Sequence, residues 1–135
     1  MKKTISKLKK ELDKWFSLYI RLKDSDDYGM VNCYTSGRSY HYKQIHAGHF
    51  MSRRHLATRW CDRNVKPQSA ADNLFGQGEQ FKFGNQLDSE YGIGTAEELQ
   101  IKARQSCKIS RSEYEEKISY YKEIVKNLKK EKNLE

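Results

Sequence analysis

One proline, three cysteines and no long apolar run set the first limits on this 135-residue chain. No stretch approaches the roughly eighteen apolar residues that a membrane-spanning helix needs, so a membrane is not an expected partner. The N-terminus is lysine-rich but has no hydrophobic signal core, which predicts an intracellular protein. Cys33, Cys61 and Cys107 are too few and too scattered for a disulfide framework, and free thiols are expected. Hydrophobic residues make up only 36% of the chain against 33% charged, so the core is modest and one domain spanning residues 1–135 is expected. Acidic residues are scarce where they matter most. Between positions 38 and 66 stand Arg38, Lys43, Arg53, Arg54, Arg59, Arg63 and Lys66, opposed by Asp62 alone.

What is present points to a polyanion. The balance of 26 basic and 18 acidic residues leaves a net charge of +8. Lysine and arginine contacts release condensed counterions, which favours nucleic acid ahead of a membrane surface. Residues 3–23 form an amphipathic helix by periodicity, with Ile5, Leu8, Leu12, Tyr19 and Leu22 recurring at helical steps and lysines between them. Those lysines are expected as a solvated face rather than a DNA-reading one. An acidic turn follows at 24–29. Two short strands, Met30–Tyr34 and Tyr40–His46, flank the turn at 35–38.

Phe50 to Trp60 reads as a loop with a short helical turn. Val65 to Pro67 is extended, because proline restrains its predecessor, and Ser69 can cap a short helix carrying Asp72 and Asn73. A helix from Glu79 should close at Gly92. Thr95 to Glu98 has the form of a capping box for a helix to about Ser106, and Ser110 to Glu113 of a second, for a helix to about Lys132. The stripe Tyr114, Ile118, Tyr121, Val125 and Leu128 suits either a homodimer seam or packing on the chain's own N-terminal helix. The sequence shows no internal repeat and no low-complexity linker.

The chemistry gathers between Ile45 and Asn73. His49, Asn64 and Asn73 follow one another there, beside His46, and hydrolysis of a phosphodiester calls for a base, a Lewis acid and positioning groups together. The run His46-Ala-Gly-His-Phe50, with Arg59-Trp60, Asn64, Pro67-Gln68 and Asp72-Asn73, resembles the phage recombination protein NinG (Rap) family. The likeness runs from about Cys33 to Gly92, and the helical flanks fit the family in character. It implies an α+β fold: a small ββα-metal (HNH-like) core over 30–76, the N-terminal helix at 3–23 and C-terminal helices over 79–132. It also implies metal-dependent endonuclease action on branched or otherwise structured DNA. On that reading His49 is the general base and Asn64 pins the loop. Asn73 is a metal ligand, joined by His46 if the strand end bends back. Arg53, Arg54, Arg59 and Lys66 hold DNA. A carbonyl oxygen, an imidazole and waters suit Mg²⁺ or Mn²⁺, and zinc or nickel if His46 does bind.

Two departures from the family pattern weigh against this. Many HNH enzymes place a metal-binding aspartate just before the base, where this chain has Gly48. NinG-like proteins often carry two CxxC pairs that bind structural zinc, where this chain has Cys33-Tyr-Thr-Ser36 and Ser69-Ala-Ala-Asp72. One thiolate cannot make a tetrahedral sulfur site, so no structural zinc is expected, and packing of Tyr34, Trp60 and the flanking helices should replace it. The second reading is a catalytically degenerate HNH scaffold that binds DNA or a protein. A third, weaker one is a helical interaction protein built on 3–23 and 111–132.

Overall fold

The computed structural model describes residues 2–135. Helix α1 spans Ile5–Lys23 and is opened by Thr4, whose hydroxyl accepts from the Lys7 backbone N–H at 3.1 Å. It buries Leu8, Leu12, Phe16, Ile20 and Leu22 on one face. The long α5, Arg111–Glu131, lies along it and buries Tyr114, Ile118 and Val125. Its Ser110 and Glu113 form the expected reciprocal capping box. The apolar stripe of α5 is therefore consumed within the chain.

Two small antiparallel sheets lie between these helices in sequence. Strand β1, Met30–Asn32, pairs with β2, Ser39–His41, with Val31 opposite Tyr40. Strand β3, His46–His49, pairs with β4, Val65–Gln68, with His46 opposite Gln68 and His49 opposite Val65. The expected strand over 40–46 is thus split. The Gln44 N–H bonds the His41 carbonyl at 2.8 Å, a turn that ends one strand and lets His46 begin another. Between β3 and β4 run a short helix α2, Leu56–Arg59, and a 3₁₀ turn, Asp62–Asn64. Pro67 sits in β4 opposite Ala47, and its carbonyl accepts from the Tyr34 N–H at 2.8 Å, which joins β4 to the β1 side.

After β4 comes a single wide turn of π-helix, Ala71–Phe75. The Ser69 hydroxyl accepts from the Asp72 N–H at 3.2 Å and caps it in substance as expected. Helices α3, Gln80–Tyr91, and α4, Thr95–Ala103, follow. Gly92 closes α3 with φ of 116°, the region that glycine enters without a Cβ penalty. The capping box expected at Thr95 to Glu98 does not form. Gly94 caps α4 in a left-handed conformation, and the Thr95 hydroxyl turns back to the Gly92 carbonyl at 2.7 Å.

The core has three parts, two of which draw on both α1 and α5. Leu8, Leu12, Phe16 and Ile20 pack with Trp60, Val65, Tyr114 and Ile118, so α1 lies between α5 and the hairpin. Leu22, Val31, Cys33, Tyr42, Ile45 and Val125 form the second cluster, and Phe50, Phe83, Leu87 and Leu99 the third. Among the described residues no helix is long and apolar enough to cross a membrane.

Candidate active-site cleft

Strand β3 carries its two histidines to one opening. A cleft of about 640 Å³ is lined by His46 and His49 from β3, Asn73 and Leu74 from the π-turn, and Asp13 and Arg21 from α1, with Lys43 and Arg53 on its margin. Hairpin, intervening loop and helical turn thus converge, and His46, His49 and Asn73 line one concavity.

Asn64 makes the loop between the strands definite. Its side chain is fully buried. Its Oδ1 accepts from the Met51 N–H at 2.8 Å, and its Nδ2 donates to the carbonyls of Met51 and Thr58, both at 3.0 Å. Its backbone carbonyl accepts from the Phe50 N–H at 2.8 Å. An amide is the one small side chain that both donates and accepts to backbone in this way. Asn64 touches nothing in the cleft; it positions the loop.

His49 is oriented by that loop. Its Nε2 lies 2.9 Å from the Arg59 carbonyl oxygen, which can only accept, so Nε2 carries the proton. Nδ1 of the neutral ring then keeps its lone pair. Burial lowers the His49 pKa below the ordinary imidazole value and Arg53 and Arg59 add to this, outweighing the Arg59 carbonyl and Asp13, which raise it. The ring is accordingly neutral at physiological pH and able to accept a proton.

Asn73 Nδ2 lies 3.2 Å from His46 Nδ1. The two amide heteroatoms of an asparagine exchange places by a half-turn of the side chain, which would set Oδ1 beside the imidazole. One imidazole nitrogen and one carboxamide oxygen are a sparse but chemically suitable donor pair for a divalent cation that keeps waters and takes a substrate phosphate. Among the described residues no three of His, Cys, Asp and Glu gather closely enough to hold a metal by themselves.

Gly48 has a local reason. A Cβ there would overlap the Gln68 Oε1 and lie 2.8 Å from the Gln68 Cβ, so the Gln68 side chain fills the space that an aspartate would need. The Gln68 Nε2 donates to Thr35 and to the Gly78 carbonyl, at 3.1 and 2.7 Å, while Oε1 is buried without a partner.

Cys33, Ser69 and Asp72, set above against the expected CxxC pairs, meet around Thr35. The Thr35 hydroxyl donates to Asp72 at 2.6 Å, the Cys33 thiol lies 3.7 Å from the same carboxylate oxygen, and the Ser69 N–H donates to Cys33 Sγ at 3.2 Å. Burial raises the Cys33 pKa, but hydrogen bonds from Ser36, Ser69 and Thr35 lower it more, and the net shift is downward. Nearby, Tyr34 packs at a tilt against Phe83 and Trp60 meets Tyr114 edge-on, at 5.3 and 5.6 Å between ring centroids.

The four basic residues expected to hold DNA divide into two pairs. Arg53 is exposed on the cleft margin, and Arg54 lines an adjoining hollow with His49 and Asn73. Arg59 is not presented to a phosphate. Its Nε and Nη2 grip Asp13 at 3.1 and 2.6 Å, and its Nη1 donates to the Arg53 carbonyl. Lys66 is 4% exposed; it bonds the Tyr91 hydroxyl, pairs with Glu90 at 3.5 Å and lies over the Tyr34 ring. A lysine so enclosed holds β4 to α3, and in this structure the side chains of both expected DNA contacts, Arg59 and Lys66, are engaged within the protein. Sequence reasoning missed Asp13 and Arg21. Both sit on a helix whose only local signal is amphipathicity, and the Arg21 guanidinium donates to the Tyr42 carbonyl at 2.7 Å.

Fold and cleft together define a basic, mixed α/β protein, its hairpin, loop and helical turn framing a histidine–asparagine opening. A family model described as Bacteriophage Lambda NinG protein matches residues 1–131. The chain belongs to that phage recombination family. Neither a curated protein nor a solved structure matches it significantly.

Proposed function

We propose that this chain is a metal-dependent endonuclease that hydrolyses phosphodiester bonds in branched or structured DNA, on an HNH-like ββα-metal core inside the cell. The observation that carries the reading is His49: a neutral imidazole whose Nε2–H is fixed on the Arg59 carbonyl, lining one cleft with His46 and Asn73. His49 Nδ1 takes a proton from the attacking water, and Asn64 keeps the loop that orients it in place. A divalent cation, Mg²⁺ or Mn²⁺, held by His46 and Asn73 would supply Lewis acidity at the phosphate. Arg53, Arg54 and Lys43 grip the flanking backbone, which sets the register of the strand without reading sequence. Structural zinc is not part of the proposal, because one thiol stands where a sulfur site needs four.

One specific observation favours the second reading, a catalytically degenerate scaffold that binds DNA or a protein: Gln68 closes the position where a ligand carboxylate would precede the base. The deciding experiment is cleavage of four-way, flapped and linear DNA with Mg²⁺ or Mn²⁺, comparing wild type with His49→Ala. Loss of a general base should lower the rate about 10²- to 10⁴-fold while DNA binding persists. Equal cutting by both proteins would remove His49 from the mechanism, and no cutting by either would leave the scaffold reading.

A further inference from the structure

We propose that Asp13 on α1, outside the hairpin region altogether, is a positioning residue for His49. This inference rests on the reading of His49 as general base. The Asp13 carboxylate collects donors from two consecutive residues at the end of α2. Oδ1 accepts from Arg59 Nε at 3.1 Å and from Trp60 Nε1 at 3.0 Å, and Oδ2 accepts from Arg59 Nη2 at 2.6 Å. Arg53 Nη1 lies 3.6 Å from the same Oδ2. A fork-on-fork pair of this kind fixes orientation as well as distance.

The carbonyl that receives the His49 Nε2–H belongs to Arg59 itself. Holding the Arg59 guanidinium and the Trp60 indole on one carboxylate stops the peptide between those two residues from rotating. That peptide supplies the carbonyl. The line of contact runs from α1 through Asp13 to Arg59 and Trp60, then through the Arg59 carbonyl to the imidazole. Asn64 reaches this peptide only at second hand, through the Thr58 carbonyl that also accepts from the Trp60 N–H, whereas Asp13 grips the side chains on both sides of it.

Two alternatives to this role are answered by the surroundings. Asp13 is not needed to hold α1 in place, since Leu8, Leu12, Phe16 and Ile20 already bury that helix against α5 and the hairpin. Asp13 also lines the cleft, yet both of its oxygens face cationic or indole N–H donors, so it is committed to the clamp and not open to a metal.

The test reads the imidazole directly, by ¹⁵N NMR of the histidine side chains, with the His49 signals assigned by their absence in His49→Gln. Wild type should show His49 protonated at Nε2. Asp13→Asn keeps the shape but removes the charge, and should give a mixture of the two tautomers. In the cleavage assay the same variant should lose about 10- to 100-fold in kcat with little change in KM, as expected when a reacting group is misplaced rather than a binding group removed. Asp13→Glu should recover part of the loss. Should Asp13→Asn fail to fold, Arg59→Lys, which keeps the charge and the carbonyl but loses the fork, should shift the tautomer in the same way. An unchanged tautomer in these variants, or Nδ1 protonation in the wild type, overturns the proposal. Absence of cleavage by wild type would defeat the nuclease reading alone, because the tautomer shift is read without substrate.

Discussion

At His49 a burial effect becomes a pH dependence whose sign is fixed. The folded-state pKa is lowered, chiefly because the imidazolium loses solvation, while the unfolded chain titrates near the ordinary value of about 6.5. Between those two values the unfolded state binds more protons, so stability rises with pH there, is fully present above about 6.5 and declines below it. Urea unfolding of wild type and His49→Gln across pH 5–8 should show the wild type losing stability on the acid side relative to the variant. A relative gain on acidification would contradict a buried neutral imidazole. Gly48 yields a second prediction at this scale. Gly48→Asp must displace the Gln68 side chain, so it should destabilise by about 1–3 kcal/mol, and shortening the neighbour in Gly48→Asp/Gln68→Ser should return a substantial part. Denaturant midpoints of the two single variants and the double give the coupling; simple additivity would mean that the two positions do not compete for one space. The residue pattern marked His49 and Asn64, because a histidine and an amide at those positions form part of a recognisable motif. It could not mark Asp13. One aspartate among the lysines of a helix carries no local sign that it will meet an arginine forty-six positions later.

Among the elements, the long helices are the ones whose identity follows from spacing. An apolar residue every three or four positions leaves α1 and α5 with a single face to bury, and they bury it against each other, the β3–β4 hairpin and the β1–β2 side. The short elements depend instead on contacts that sequence does not display. Ser110 and Thr95 begin similar four-residue patterns, but only Ser110 caps, because a left-handed Gly94 takes the position before α4 and frees the Thr95 hydroxyl to bond Gly92. Likewise Tyr40 to His46 has strand-favouring side chains, yet the turn after His41 hands its second half to a different sheet. Because α1 also carries Asp13, its packing and the site are one problem. Leu12 is fully buried in the cluster shared by α1, α5 and the hairpin. Leu12→Ala should cost about 2–5 kcal/mol in chemical denaturation, the range for removing buried methyl groups from a core that cannot close up. A cost below about 1 kcal/mol would mean that α1 is an appendage, and the route from Asp13 to His49 would lose its fixed end.

Over the whole molecule, net charge suggests a polyanion but does not say which cations meet it. The chain carries +8, and the basic run from 38 to 66 looks uniform when written out. Folding sorts it. Arg59 is neutralised by Asp13, Lys66 is enclosed by Glu90, Tyr91 and Tyr34, and Arg53 and Arg54 remain at the openings beside His49 and Asn73. That partition predicts a difference that a charge count cannot. Each cation that neutralises a phosphate adds roughly one to the slope of log affinity against log salt, through the counterion it releases. Affinity for a branched DNA, measured without divalent metal across a salt series, should therefore lose about one unit of slope in Arg53→Ala and in Arg54→Ala. Lys66→Met and Arg59→Lys should leave the slope at the wild-type value, even where they lower stability, because neither side chain reaches the backbone of a nucleic acid. A slope reduced equally by all four substitutions would mean that the enclosed pair opens on binding and that the cleft margin is not the phosphate-gripping surface. A slope moved only by the exposed pair would place the DNA across the opening that His49, His46 and Asn73 share, which is where hydrolysis requires it.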